Sequence, residues 1–235
     1  MMHRDPVMIK GSSLRDPAAL RRPVATKQFG RKALGLAAML ALACVSDHGS
    51  ALAAGAGDTV QSLYASLLGT MKSGSTLGES GRFAQLEPVI RERFDLPLMA
   101  RLSVGPTWAG LSPAQQQQVT DSYGRYISAI YADRFDSYDG QKLEVTGEQP
   151  APSGVLVSSR IVKANGDPVE VDYLMRQNGE ASWLIADIYL DGTISELATR
   201  RSEFAAILRS QGIDGLIEAL NRKADMLTRT AARAD

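Results

Sequence analysis

The fold is decided by residues 168–208, PVEVDYLMRQNGEASWLIADIYLDGTISELATRRSEFAAIL. Alternating apolar and polar residues predict one strand before Asn178-Gly179 and another after it, because Asn and Gly accept the positive φ of a tight hairpin turn. The period then changes to that of a helix, with apolar residues on one face from Ile194 to Leu208. Two apolar strands followed by an amphipathic helix need a common core, which is either solid or encloses a ligand.

Two more strand candidates precede this unit. KLEVTGEQ at 142–149 and VLVSSRIVKA at 155–164 also alternate, and short turn sequences separate all four candidates. Consecutive strands joined by short turns predict an antiparallel meander, in which the last strand, apolar on both faces, is covered on both sides.

Helical spacing dominates the chain before residue 142. It predicts four helices that start at Asp58, Phe83, Asp95 and Ser112, with a Gly/Ser-rich loop at 72–82. A further capping box, Thr193-x-x-Glu196, predicts the start of the helix that follows the sheet. Helices first, a sheet after them and a helix returning over it predict an α+β fold.

The first 53 residues differ from the rest of the chain. A basic pair at 31–32 precedes an apolar run of twelve at 33–44, and A-L-A follows at 51–53. A basic segment, a short apolar core and an A-x-A motif are typical of a cleavable signal peptide, whereas a membrane span takes about 20 apolar residues. We therefore predict a leader at 1–53, a single domain at 54–235 and export to the periplasm.

Cleavage at that point would remove every histidine and cysteine. His3, His48 and Cys44 all lie in the leader, together with 8 of the 26 basic and 3 of the 26 acidic residues, so the mature net charge is −5. Such a chain has no disulfide, no histidine base and no zinc site built on these residues, and we predict no metal and no cofactor. Its negative charge also argues against nucleic acid as a partner.

Asp187 is the one charged residue of the last strand candidate, between Ala186 and Ile188. A buried carboxylate needs a partner, and Arg200 or Arg201 on the following helix is the candidate. A structural ion pair is one interpretation, and a general base with a raised pKa is the other. The sequence has no Gly-rich phosphate loop after a strand and no G-x-S-x-G motif.

Several motifs, in their order and spacing, resemble the MlaC-like proteins, also called the toluene-tolerance family. FDLPLMARLSVGPTW at 94–108 resembles the family's FD-x-x-x-MA-x-x-x-x-G-x-x-W segment. The resemblance continues with G-x-PVEVDY at 166–173, W-x-x-x-D-I at 183–188, D-G-x-x-S at 191–195, R-x-x-F-A-x-I-L at 201–208 and G-I-D-G-L-I at 212–217. The resemblance covers about residues 58–225. Within it, the segment DIYLDGTISELATRRSEF at 187–204 most resembles the hopanoid-associated branch, HpnM.

The resemblance implies a periplasmic lipid carrier without catalysis, which moves phospholipid or hopanoid between inner-membrane and outer-membrane transport complexes. It implies a fold like the nuclear-transport-factor-two group: N-terminal helices, a curved four-stranded antiparallel sheet, C-terminal helices and an apolar pocket on the concave face. The sequence gives no strong oligomer signal, and we expect a monomer. Such a carrier needs little chemistry, because a sixteen-carbon chain exposed to water costs roughly 13 kcal/mol and an apolar slot removes that cost.

We predict that the apolar side chains of the last strands and of the facing helices line this slot, although each could instead belong to a solid core. The candidates from the sheet are Val157, Val171, Tyr173, Ile185 and Tyr189, and those from the helices are Ile127, Tyr131, Leu197, Phe204 and Leu208.

Two other functions fit the same sequence. One is an enzyme of the same curved-sheet fold, in which Asp187 acts as a base on a terpenoid or steroid-like ligand. The other is a non-catalytic accessory protein with a filled core, which only docks to a membrane complex. Mass spectrometry of lipid extracted from the purified protein separates the carrier from both.

Overall fold

A computed structural model of the chain describes residues 55–179 and 182–229, so the predicted leader lies outside the described residues. The helices that precede the sheet are α1 (Ala56–Lys72), α2 (Gly74–Arg93), α3 (Leu96–Val104) and α4 (Pro113–Arg134), with a 3-10 turn at Gly105–Gly110. The strands are β1 (Lys142–Ala151), β2 (Gly154–Val162), β3 (Pro168–Asn178), β4 (Ser182–Leu190) and β5 (Ile194–Ser195), and α5 (Glu196–Arg229) follows them.

The predicted starts of α3 and α4 are confirmed. The Asp95 carboxylate accepts a hydrogen bond from the Leu98 N–H at 3.1 Å. Ser112 Oγ accepts from the Gln115 N–H at 3.3 Å, and the Gln115 side chain accepts from the Ser112 N–H at 3.0 Å. These caps satisfy N–H groups that have no partner inside the helix.

Two local predictions are wrong. The segment 72–82 is not a loop, because α2 already begins at Gly74 and only its backbone at Gly78, with φ of 61°, departs from the helix. The helix after the sheet is capped by Ser195, whose Oγ accepts from the Ala198 N–H at 3.0 Å, and not by Thr193. Glycine accepts the positive φ at low cost, so the chain turns at Gly78 without a loop.

The sheet is the predicted antiparallel meander, in the order β1-β2-β3-β4-β5. It has five strands and not four, because Ile194 and Ser195 pair back onto Leu190 and Tyr189 of β4. A strand of two residues has no period to recognise, which is why the sequence pattern did not reveal β5.

One face of the sheet, the inner face, carries the core side chains. Directly paired residues of neighbouring antiparallel strands point to the same side, so the register defines rows across the sheet. We number four rows along the strands: row 1 is Leu143, Ile161 and Val169; row 2 is Val145, Ser159, Val171 and Leu190; row 3 is Glu148, Val157, Tyr173 and Ile188; row 4 is Pro150, Val155, Met175 and Ile185.

A β-bulge in β4 overturns the face predicted for Tyr189. Leu174 pairs with Asp187, but the next residue, Met175, pairs with Ile185, so Ala186 is the extra residue of the bulge. The bulge reverses the alternation, which leaves Ile185 on the inner face and moves Tyr189 to the outer face, opposite Asp172. Tyr189 therefore does not share a face with Ile185 and Tyr173.

The helices cover the inner face. The N-terminus of α1 meets row 3, where the Gly57 N–H donates to the Glu148 carboxylate at 2.8 Å. At the end of α2, Phe94 forms a parallel bridge with Ile185, and the Asp95 N–H donates to the Ile185 carbonyl oxygen at 2.9 Å. These contacts hold α1 against β1 and the end of α2 against β4, which positions the candidate site between the two layers.

Candidate functional site

The side chains of the inner face are not all buried to the same extent by the helices. In rows 3 and 4, Val157, Met175 and Ile185 have no exposed surface. In row 1, Leu143, Ile161 and Val169 are all only half-buried, although they pack against the core. Row 1 is thus an apolar edge of the inner face that the helices leave partly uncovered.

Aromatic side chains from α4 approach the same interior. Tyr131 is half-buried and packs edge-on against Phe94, with ring centroids 5.6 Å apart. Phe135, one turn further along, stacks on Tyr131 at 5.5 Å. Tyr131 thus belongs to an aromatic cluster that the end of α2 shares with the end of α4.

The interior contains a group of buried hydroxyls in otherwise apolar surroundings. Tyr64 of α1 and Tyr173 of β3 are each 2% exposed, and Ser159 of β2 has no exposed surface. Tyr64 Oη lies 2.6 Å from Ser159 Oγ, and the Tyr64 and Tyr173 rings meet edge-on at 6.0 Å. Burial raises the pKa of Tyr64, Tyr131 and Tyr173 above the ordinary tyrosine value, so all three hydroxyls are neutral.

Sequence reasoning missed Tyr64 and Ser159. Tyr64 lies on the apolar stripe of α1, where tyrosine is common, and nothing in that stripe marks its hydroxyl as buried against the sheet. Ser159 did carry a signal. It is a small polar residue at an inner-face position of VLVSSRIV, where the alternation of Val155 and Val157 leads one to expect an apolar side chain.

The predicted lining residues lie in two places. Those that belong to the buried core are Val157, Val171, Tyr173, Ile185, Ile127, Leu197 and Phe204. Tyr131 and Leu208 are half-buried and pack against that core, whereas Tyr189 lies on the other face of the sheet. Phe204 meets Tyr123 edge-on at 6.3 Å, so its ring lies between α4 and α5. The contact of these residues with a lipid stays a prediction.

Asp187 is satisfied by neutral donors and not by an arginine. Its carboxylate accepts hydrogen bonds from the Ser195 hydroxyl at 2.6 Å, the Ile188 N–H at 2.8 Å and the Leu197 N–H at 3.2 Å. It thereby ties β4 to β5 and to the first turn of α5. Paired with Leu174, it belongs to the outer face, away from the apolar interior in which a base would act.

The predicted partner of Asp187, Arg200, is engaged elsewhere. Its guanidinium forms ion pairs with Glu196 at 3.2 Å and Glu203 at 2.8 Å, and lies 5.4 Å from the centroid of the Tyr126 ring. Arg200, Glu196 and Glu203 all belong to α5, so these two ion pairs stabilise the start of that helix. The prediction that Asp187 pairs with Arg200 or Arg201 is therefore wrong, because its carboxylate is held by Ser195 and two backbone N–H groups instead.

Two further properties of the described residues, 55–179 and 182–229, bear on function. Among them, no group of three or more His, Cys, Asp or Glu side chains could hold a metal ion. No helix in this part of the chain is long and apolar enough to cross a membrane.

The geometry defines a class of protein: an α+β domain in which helices cover one face of an antiparallel meander and leave an apolar row of that face partly open. The chain belongs to the MlaC family, whose model, described as MlaC protein, matches residues 61–222. That range includes α2 to β5 entirely, with most of α1 and α5.

A solved structure is also similar to this chain. It is a phospholipid-binding protein from Ralstonia solanacearum, determined in complex with a phospholipid. The two chains are 24% identical and superpose with a TM-score of 0.63, over 72% of this chain and 96% of the other. At that identity, the similarity establishes the α+β fold with its curved antiparallel sheet.

Proposed function

We propose that the protein is a lipid carrier, which binds the acyl or polycyclic part of a phospholipid or hopanoid between the inner face of the sheet and the helices. The observation that carries this proposal is row 1, in which all three apolar side chains of the inner face are left half-buried. Exposed apolar surface costs roughly 25 cal/mol per Å², so such an edge is expected where a ligand completes the core. Membership of the MlaC family and the phospholipid held by the Ralstonia protein support the same function.

The remaining parts of the proposal concern the setting in which the carrier works. A leader at 1–53 would deliver a monomeric domain, 54–235, to the periplasm, where it would exchange lipid with inner-membrane and outer-membrane transport complexes without catalysis. The curved sheet with helices on its concave face would then be used as in the nuclear-transport-factor-two group. Hopanoid as cargo is supported by the resemblance of residues 187–204 to the HpnM branch, and phospholipid by the Ralstonia protein.

A matched pair of substitutions in β2 tests the proposed binding face. Ile161 and Leu156 are both half-buried, but Ile161 belongs to row 1, whereas Leu156, paired with Leu174, points to the outer face. Ile161→Asp should abolish lipid co-purification, because a carboxylate next to an acyl chain is costly to desolvate. Leu156→Asp should leave the lipid content unchanged.

The measurement is mass spectrometry of lipid extracted from equal amounts of the folded proteins, with far-UV circular dichroism as the test of folding. Retention of lipid by folded Ile161→Asp would show that the inner face is not the binding face. A wild-type protein that carries no lipid, and takes none from vesicles, would favour the accessory protein with a filled core.

A further inference from the structure

A second surface, which contains no side chain of row 1, brings α3 together with the first turns of α5. α3 begins beside Ile185, at the row 4 end of β4. At its other end, the guanidinium of Arg201 lies directly over Gly105, because a Cβ added at Gly105 would be 3.1 Å from the Arg201 Nε atom. Gly105 has a φ of 69° and no side chain, so the backbone turns here and leaves room for the arginine.

Apolar side chains are exposed beside this contact. Arg101 and Leu102 lie four and three residues before Gly105, and residues at these spacings share one face of a helix. Arg101 is exposed and Leu102 is 42% exposed. Trp108, in the 3-10 turn that follows, is half-buried, with part of its ring packed against the core. We name Arg101, Leu102, Trp108 and Arg201 the arginine patch.

The charge of the arginine patch is opposite to that of the domain. The segment 96–120 contains no Asp or Glu, and Arg101 is its one charged residue. Within residues 55–179 and 182–229, neither Arg101 nor Arg201 forms an ion pair or a hydrogen bond. The two carboxylates of α5 closest in sequence to Arg201 both pair with Arg200. The patch is therefore cationic, although residues 54–235 carry a net charge of −5.

We propose that the arginine patch docks the protein on the anionic surface of a phospholipid bilayer. The two guanidinium groups contact lipid phosphates, for which arginine has the matching geometry. Leu102 and Trp108 enter the boundary between headgroups and acyl chains, where basic residues combined with Leu and Trp are typical. The charge complementarity of unpaired arginines and anionic headgroups favours this partner. The inference goes beyond the proposed lipid binding, because it concerns a surface outside row 1.

The test measures sedimentation of the full chain with phosphatidylcholine vesicles that contain phosphatidylglycerol, at low ionic strength. An arginine near an anionic surface strengthens binding about fivefold, so Arg101→Gln and Arg201→Gln should each weaken it by about that factor. Leu102→Ala should weaken it by about threefold, because less apolar area leaves water. Added salt should reduce binding of the wild type more than binding of the two arginine variants.

Arg176→Gln is the matched control for the change in net charge. Arg176 is exposed and, opposite Leu184, points to the outer face of the sheet, and it has no ion pair within the described residues. This variant should bind the vesicles as the wild type does. All variants keep the same N-terminal residues, so any contribution of the predicted leader cancels in the comparison with the wild type.

A second measurement reports the patch itself. The chain has two tryptophans, so Trp183→Phe leaves Trp108 as the single one. Brominated phosphatidylcholine in the anionic vesicles should quench its fluorescence, because docking places Trp108 at the depth of the upper acyl chains. The quenching should decrease when Arg201→Gln is added to this variant. Circular dichroism confirms that each variant is folded.

Unchanged vesicle binding in both arginine variants would overturn the proposal, as would an equal loss in Arg176→Gln or an unquenched Trp108 on bound protein. A wild type that does not bind the anionic vesicles would also overturn it and leave an acidic protein surface as the partner to test. If that protein still contained co-purified lipid, the carrier function would stand. Docking through the patch by a protein that carries no lipid would instead leave this inference intact and remove the carrier function.

Discussion

Removal of the Asp187 carboxylate should destabilise the protein strongly without a direct effect on ligand binding. Asp187→Ala deletes three hydrogen bonds, from the Ser195 hydroxyl at 2.6 Å and from the Ile188 and Leu197 N–H groups at 2.8 and 3.2 Å. The N–H of Leu197 lies in the first turn of α5, where no helical carbonyl can replace the lost acceptor. The substitution therefore leaves donors buried and unpaired between β4, β5 and α5.

The size of the effect follows from these contacts. A hydrogen bond to a charged group contributes about 1.5–3 kcal/mol, and removing one partner of a buried group adds the desolvation of the other. Since the three donors share one carboxylate, their contributions do not add fully, and we expect Asp187→Ala to cost about 3–5 kcal/mol. Asp187→Asn retains one acceptor oxygen and should cost less, about 1–2 kcal/mol.

Urea unfolding followed by circular dichroism measures these changes as shifts in the midpoint at constant slope. Asp172→Ala is the matched control, a half-buried carboxylate on the same face of the sheet, with an expected change within about 0.5 kcal/mol. If Asp187→Ala were as stable as the wild type, the assignment of Asp187 as a structural acceptor would be wrong. Loss of a catalytic turnover in a fully stable Asp187→Asn protein would instead favour the enzyme.

Three further substitutions test the packing and the electrostatics of the helices. Gly74→Ala should cost about 1–3 kcal/mol, because the added Cβ would lie 1.8 Å from the Asp136 carbonyl oxygen. Gly69→Ala, with nothing within 4 Å of its Cβ in α1, should gain about 0.5–1 kcal/mol, and similar urea midpoints for both would contradict this packing. Arg125→Gln removes the 2.6 Å ion pair with Asp225 and should cost less than about 1 kcal/mol at pH 7, since both side chains are about one-third exposed. Hydrogen bonding to Arg125 lowers the pKa of Asp225, so this contribution is present above the unfolded-state pKa of about 3.9 and disappears as the pH falls through the folded-state pKa. A loss from Arg125→Gln that stayed constant down to pH 2 would show that the ion pair is not its cause.

The sequence was sufficient for the parts of the fold that repeat. Alternation and the Asn-Gly turns predicted β1 to β4 and their meander order, because each strand is long enough to show its period. The bulge at Ala186 was not predictable, since β4 is apolar on both faces and no polar residue marks where the alternation reverses. That single extra residue is why Tyr189 was assigned to the wrong face.

The candidate site was predictable as an apolar interior but not in its detail. Burial of Val157, Tyr173 and Ile185 follows from hydrophobic pattern alone. The buried hydrogen bond between Tyr64 of α1 and Ser159 of β2 joins residues 95 apart in the chain, and no local pattern encodes such a contact. The partners of Asp187 were missed for the same reason, because β5 brings Ser195 to it only once the sheet is formed.

The central claim is that the inner face binds a lipid, and the most direct test is to identify what the protein carries. The full chain is expressed in a cell that makes both phospholipids and hopanoids, purified without detergent and extracted for mass spectrometry. The account predicts phospholipid or hopanoid in a fixed molar ratio to the protein, and its loss in Ile161→Asp but not in Leu156→Asp. A folded wild-type protein that contains no lipid and removes none from vesicles would contradict it.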